Sequence, residues 1–385
     1  MGNAFETFIK RQTAIVLLIV IAVCMSGYII FMPEVFDASI KEMRKKAEKL
    51  NESFLFKDSF IVLHGGFSRV LGKKMIIDVS RYNDVYKLNN GHLTIVRPEP
   101  GENVDGNARA LAEFYEYARQ NDIEFLFILA PHKVDNHDDG LPRGVVDYTN
   151  KNADRFMESI IKSGVPYVDL RETIHEQGLD WYDGFFKTDH HWTAEMGLWA
   201  AKYVMNEYLR EYLPGDMSLY DADNYDVSVY RDVFLGSWGR RTGRLYAGVD
   251  DISVITPKFD TNLRVEIPSA NYLMSGSFAD TLIDYSYLEG NAEDTGAYDD
   301  IFMVRDKGAH IINDNGNGKT CLILADSFGR VFIPFISLSF SETYAGMFAG
   351  NMTDYIAKTQ PDVILFLINA YNVDPFEAYF DFGLR

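Results

Sequence analysis

The longest apolar block lies near the amino end. Residues 13–32 read TAIVLLIVIAVCMSGYIIFM, 20 residues without a charge. An α-helix of that length crosses about 30 Å of hydrocarbon. The run is longer than a signal-peptide core and no clean small-x-small cleavage site follows, so it predicts an uncleaved transmembrane anchor. Residues 1–12 are then expected in the cytoplasm and 33–55 as a charged helical stalk. Flanking charge does not fix the orientation: Lys10 and Arg11 argue one way, Lys41, Arg44, Lys45, Lys46 and Lys49 the other.

From residue 56 onward the pattern changes to short apolar strands between helical stretches. FIVLHGG (60–66) and HLTIV (92–96) are strand candidates, the latter after the turn signal Asn-Asn-Gly. ARALAEFYEYARQ (108–120) has helical spacing and leads into the strand IEFLFILAP (123–131); NADRFMESIIKSG (152–164) leads into VPYVDL. Such alternation predicts an α/β domain over 56–385, with a mainly parallel sheet covered on both faces. The stretch 193–213 predicts a strong helix capped by Thr193. Residues of about 214–315, rich in Asp, Gly, Tyr and Ser, read as an irregular insertion of loops and short strands in the α/β core, one that shapes a substrate groove. The core then resumes with the strand TCLILA (320–325), a helix after Ser327, and the strand PDVILFLIN (361–369).

Composition adds bounds. Of 385 residues 47% are hydrophobic, enough for a sizeable core, and the formal net charge of -19 disfavours a nucleic-acid partner. Of the two cysteines, Cys24 falls in the apolar run and Cys321 in a buried-looking strand. Neither has a neighbour at metal-ligand spacing, and a mutual disulfide is implausible.

Two segments carry chemistry. One is Lys187-Thr188-Asp189-His190-His191-Trp192-Thr193, just before the long helix; the other is Ala325-Asp326-Ser327-Phe328-Gly329, at the exit of a buried strand. Carboxyl ends of parallel strands face the crevice where ligands bind. A serine on a strand-to-helix turn there presents its hydroxyl at the active edge. It becomes a nucleophile when a base takes its proton and a carboxylate holds that base in the right tautomer. Ser327, His191 and Asp189 supply those groups. Taken singly, an Asp-Ser pair is ordinarily a helix cap and a His-His pair a surface feature; together at one sheet edge they are far more specific. The Asp-x-His spacing favours His191 over His190 as the base.

At these residues the chain resembles the SGNH-hydrolase-like proteins of bacterial polysaccharide O-acetylation, the AlgJ/AlgX type and its DHHW relatives. Asp189-His190-His191-Trp192 is present literally, and Ala325-Asp326-Ser327-Phe328 is similar to the family's Gly-Asp-Ser-Phe block, with alanine in place of glycine. Softer likenesses are Ala130-Pro131-His132-Lys133 and Gly236-Ser237-Trp238-Gly239. The resemblance implies a three-layer α/β/α fold with a permuted motif order, Asp-x-His before serine. It also implies Ser327 as nucleophile, His191 as base, Asp189 as orienting acid, and an acetyl-enzyme intermediate. Further implications are a polysaccharide or wall-glycan acceptor, a multispanning membrane acyltransferase as acetyl supplier, no cofactor and no metal, and a catalytic domain outside the cytoplasm. Lys133, Trp192, Asp326 and Phe328 are candidate substrate or oxyanion residues. Trp181, Tyr182 and Phe186 are candidates for stacking on sugar rings.

Other readings stay open: a carbohydrate acetylesterase on the same residues, a noncatalytic tethered glycan-binding scaffold, or a metal-dependent hydrolase using Asp189, His190 and His191. The loop 131–139 reads as solvated rather than metal-binding, and 313–318 as a turn, since it lacks the closing Glu of a calcium loop.

Overall fold

The computed structural model describes residues 57–77, 84–138, 140–213, 217–290, 292, 298, 301–302, 304, 308–346, 351–374 and 379–384. The predicted anchor 13–32 and stalk 33–55 lie outside these. Among the described residues no helix is long and apolar enough to cross a membrane. The chain divides into Met1–Leu63 and His64–Arg385, and the second unit carries the architecture below.

An eight-stranded sheet forms the centre. In chain order its strands are β4 (Glu124–Ala130), β5 (Tyr167–Asp169), β8 (Leu263–Ile267), β9 (Tyr272–Gly276), β10 (Ala309–Asn313), β11 (Thr320–Ala325), β12 (Glu342–Gly346) and β13 (Val363–Asn369). Smaller units come from β1 (Met75–Ile76), β2 (Val85–Lys87) and β3 (Leu93–Thr94), and from the hairpin of β6 (Tyr225–Phe234) and β7 (Asp250–Pro257). The sheet order is β5-β4-β13-β11-β12-β10-β8-β9. The four pairings from β5 to β12 are parallel and the three beyond are antiparallel.

Strand geometry explains how both faces are covered. Successive side chains point to opposite sides, and β4 is apolar at consecutive positions. Leu126, Ile128 and Ala130 enter a core with Trp192, Ala200 and Val204, against helix α5 (Ala194–Glu207). Phe125, Phe127 and Leu129 enter another, against α2 (Val104–Gln120) and α3 (Thr149–Lys162), through Leu111, Phe114, Phe156 and Ile160. This is a sandwich of helices around a mostly parallel sheet, in agreement with the predicted class. Thr193 caps α5 by accepting from the Met196 N–H, as the sequence predicts.

Three expectations need correction. FIVLHGG is not a strand but the middle of helix α1 (Lys57–Val70). Its glycines permit close approach rather than a turn: a Cβ on Gly65 would lie 2.0 Å from the Thr242 carbonyl oxygen. The short strands of 214–315 are not all an insertion in the core: besides the β6–β7 hairpin they include β8, β9 and β10, which form the antiparallel end of the central sheet. Their place in that sheet was obscured because polar turns separate runs of only five to ten residues. The segment after Ser327 is a 3₁₀ turn, Ser327–Val331, followed by the single helical turn Ile333–Ile336.

Candidate active site

The Lys187–His191 loop is short and polar; Thr188, Asp189 and His191 are buried, Lys187 is exposed and His190 partly buried, so the buried polar groups must find hydrogen-bond partners. Asp250, at the start of β7, accepts from the Lys187 N–H (3.0 Å), the Thr188 N–H (2.7 Å) and the Thr188 hydroxyl (2.7 Å). The Thr188 hydroxyl oxygen in turn accepts from the Gly236 N–H at 2.8 Å, and the Thr188 carbonyl from the Gly239 N–H at 2.8 Å. Lys133, just beyond β4, donates its ammonium to the carbonyls of Phe186 and Asp189. The loop is thereby tied to the central sheet and to helix α6 (Ser237–Thr242).

Within it, Asp189 Oδ1 lies 2.6 Å from His191 Nδ1 and accepts from the His191 N–H at 3.0 Å. The other carboxylate oxygen accepts from the Ser237 N–H at 2.6 Å. Burial alone would raise this carboxyl, but the charges of His190 and His191, the imidazole hydrogen bond and the Ser237 amide hold it well below the usual carboxylate range. An ionised Asp189 makes Nδ1 the protonated nitrogen of His191 and leaves the Nε2 lone pair free to accept. Nε2 lies 2.7 Å from Ser327 Oγ. The Tyr298 ring stacks on this imidazole at 3.9 Å between centroids, and its hydroxyl donates to the Ser327 carbonyl at 3.2 Å.

Ser327 opens the turn at the carboxyl end of β11. Asp326 caps that turn: Oδ1 accepts from the Phe328 N–H at 2.9 Å, while Oδ2 accepts from the Asn369 N–H at 2.7 Å and the Asn372 amide at 2.9 Å. Asp326 thus sews the ends of β11 and β13 together. Ser327 is half-buried, whereas Asp326 and Phe328 on either side are buried. The turn therefore presents its hydroxyl outward and its neighbours inward.

The structure brings Asp189, His191 and Ser327 into one hydrogen-bonded line. It does not bring the four candidate substrate or oxyanion side chains to the surface. Lys133 is fully enclosed, because its two carbonyl acceptors and the Trp238 ring, 4.8 Å from Nζ, surround the ammonium. Burial pushes it down to about 7. Trp192 is fully buried, donating Nε1–H to the Phe328 carbonyl at 2.9 Å. Phe328 packs under it in the core. Asp326 is used up as a cap. Trp181 and Phe186 are likewise core side chains, and Tyr182, partly buried, packs on His92. In the loop 131–139, Asp135 Oδ1 accepts from Nε2 of His175, in helix α4 (Leu170–Glu176), at 3.0 Å, and the His175 ring stacks on His137 at 3.8 Å.

His190 stands beside the line rather than in it. Its Nδ1 is 3.3 Å from both the Ser237 hydroxyl and Asp189 Oδ1. Burial, and then the charge of His191, lower its basicity against the opposing pull of Asp189. Asp189, His190 and His191 could each offer a metal one ligand atom within a span of 4.8 Å. Two of those atoms, Asp189 Oδ1 and His191 Nδ1, already face each other at hydrogen-bond distance. The sequence alone did not single out Asp250, Tyr298, Asn369 or Asn372. Gly236-Ser237 was visible as a soft motif, and its glycine has a physical cause: a Cβ on Gly236 would sit 2.3 Å from the Asp189 Cβ.

Residues 93–223 match a family model described as the SGNH hydrolase-like domain of the acetyltransferase AlgX. No curated protein matches the chain by sequence. Among solved structures, PatB1 of Bacillus cereus with a sulfonyl adduct shares 19% identity over 76% of this chain and 98% of that one, with a TM-score of 0.62. A DHHW family protein from Eubacterium siraeum shares 20% identity over 76% of this chain and 92% of its own, with a TM-score of 0.57. At such identities these two likenesses speak for the fold. Residues 93–223, which include Asp189 and His191, are thus similar to the SGNH hydrolase-like domain of the acetyltransferase AlgX.

Proposed function

We propose that this chain is an O-acetyltransferase that moves an acetyl group through Ser327 onto a hydroxyl of a polysaccharide or wall glycan, outside the cytoplasm and tethered by residues 13–32. The observation that carries the chemistry is the pair of short contacts on His191, 2.6 Å to Asp189 and 2.7 Å to Ser327. In the first half-reaction Ser327 Oγ attacks the acetyl carbonyl of the donor as Nε2 takes its proton. The donor's leaving oxygen departs with that proton, and an acetyl ester remains on Ser327. In the second, Nε2 takes the proton of an acceptor hydroxyl, whose oxygen attacks the ester; the proton then returns to Ser327 and the product ester leaves. Asp189 keeps the imidazole in the required tautomer and stabilises its charged form. Because Asp326 occupies the Phe328 N–H, the Ser327 N–H is the turn's remaining early amide for the oxyanion, a contribution of about 3–4 kcal/mol for one donor. The family's acetyltransferase description and the predicted anchor support the reading. A multispanning membrane acyltransferase is the proposed acetyl supplier.

A second reading, an acetylesterase, draws on the half-buried position of Ser327. Water reaching the same acyl-serine gives hydrolysis in place of transfer.

The test uses the full chain in detergent with an activated acetyl ester. Ser327→Ala and His191→Ala should lose nearly all turnover, His190→Ala should keep most of it, and a sulfonyl fluoride should transfer its sulfonyl group to the Ser327 oxygen with loss of hydrogen fluoride. Wild-type turnover in Ser327→Ala would remove the covalent step, and absence of turnover in every form, the wild type included, would favour the tethered scaffold. Loss of turnover to a chelator, restored by metal, would favour the metal-dependent alternative. Oligosaccharides added as acceptors, with product mass measured, separate transfer from hydrolysis.

A further inference from the structure

Away from the site, the second half of helix α1 exposes an apolar surface on a firmly seated element. Phe67, Val70 and Leu71 are 69%, 85% and 71% exposed, and positions i, i+3 and i+4 share one helical face. Leu245, in the short helix α7 (Arg244–Ala247), is 46% exposed and adjoins them at Gly66, whose added Cβ would touch it at 3.1 Å. The helix is held from behind. Ser68 and Ile76 are buried, Arg69 donates to the Leu245 carbonyl at 3.3 Å, and the Tyr246 hydroxyl donates to the Lys73 carbonyl at 2.8 Å. These side chains are therefore presented outward by fixed backbone.

The same two segments carry exposed cations, against the trend of a chain with net charge -19: Arg69, Lys73, Lys74 and Arg244 are all exposed. Arg69 and Lys74 lie close enough to Lys87 to help burial depress its basicity. Apolar side chains with Lys and Arg beside them suit the boundary between acyl chains and anionic headgroups. About 24 residues separate the end of the apolar run 13–32 from Lys57, a reach of no more than about 80 Å.

We propose that the face formed by Phe67, Val70, Leu71 and Leu245, with Arg69, Lys73, Lys74 and Arg244 beside it, rests on an anionic phospholipid surface. The contact would hold the body of the protein against the bilayer in one attitude, beyond what a tether alone achieves. It is independent of the chemistry at Ser327.

The experiment places an environment-sensitive dye on the full chain, reconstituted into vesicles of phosphatidylglycerol and phosphatidylcholine. Leu71→Cys carries the dye in one sample, and Leu273→Cys, at a distant position that is 63% exposed, in the control; both have Cys24→Ala. Dye at position 71 should shift to the blue and be quenched by lipid-borne bromine several-fold more than dye at position 273. The effect should fade in pure phosphatidylcholine and in Lys73→Glu/Lys74→Glu, a variant that keeps its ester turnover. Equal emission and quenching at the two positions overturns the proposal, as does failure of the chain to float with the vesicles. A blue shift in detergent that grows with protein concentration overturns it too, in favour of a second copy on this face.

Discussion

Three hydrogen bonds to one carboxylate set the position of His191: its own N–H, its Nδ1–H and the Ser237 N–H all end on Asp189. Anything that displaces that carboxylate should reach the chemistry without touching Ser327. Gly236 is the sharpest test, since its backbone is in an ordinary extended conformation and only space forbids a side chain. Gly236→Ala should fold yet lose about 10²-fold or more in turnover, because displacements of an ångström are expensive in a preorganised site; comparing kcat with thermal midpoint checks this. A second prediction concerns Cys321. Burial pushes its thiol well above the ordinary range, so a thiol reagent should leave it unmodified in the folded chain, and Cys321→Ala should keep turnover.

At the level of elements, much was legible because hydrophobic period and strand-to-helix alternation are local signals. β4, β11, β13, α2, α3 and the Thr193 cap follow from windows of ten to twenty residues. So does the meeting of the Asp189–His191 loop with the Ser327 turn, since carboxyl ends of parallel strands share one edge; their chemical roles rest on the proposal above. What escaped depends on contacts far apart in sequence. FIVLHGG reads as a strand unless Thr242 is known to lie against Gly65. Lys133 reads as a surface cation unless the carbonyls of Phe186 and Asp189 are known to surround it. Trp192 and Phe328 read as groove aromatics until they are found packed on each other. Two predictions belong here. Phe156→Ala, which empties a fully buried place between α3 and the sheet, should cost about 3–5 kcal/mol in denaturant unfolding. Gly65→Ala, pressing on the end of α6, should cost about 1–3 kcal/mol and lower turnover as well, since Ser237 opens that helix.

For the whole molecule, Lys133 links stability to pH. Burial lowers its folded-state basicity from 10.5 to about 7, with Asp250 and Asp189 opposing. Between those values the unfolded chain binds the extra proton, so this group makes the fold more stable as pH rises through the window. The slope is at most about 1.4 kcal/mol per pH unit. Thermal or denaturant midpoints across about pH 7–10 should show that rise, and Lys133→Met should flatten it, although loss of the two hydrogen bonds lowers stability throughout. An unchanged slope in Lys133→Met would assign the dependence elsewhere.

The order of the central sheet has a consequence for how the molecule comes into being. β4, laid down early, pairs along its whole length with β13, from Glu124↔Val363 to Asn369↔Ala130, and the strand ending at Ser327 slots against β13's other edge. A nascent chain therefore emerges with an open ladder at the heart of its sheet and no assembled nucleophile until β13 has followed β4 by more than two hundred residues. Late closure of this kind is slow, and the unsatisfied strand edge is exposed to misassembly in the meantime. The same late closure keeps the hydroxyl of Ser327 idle until β13 is in place.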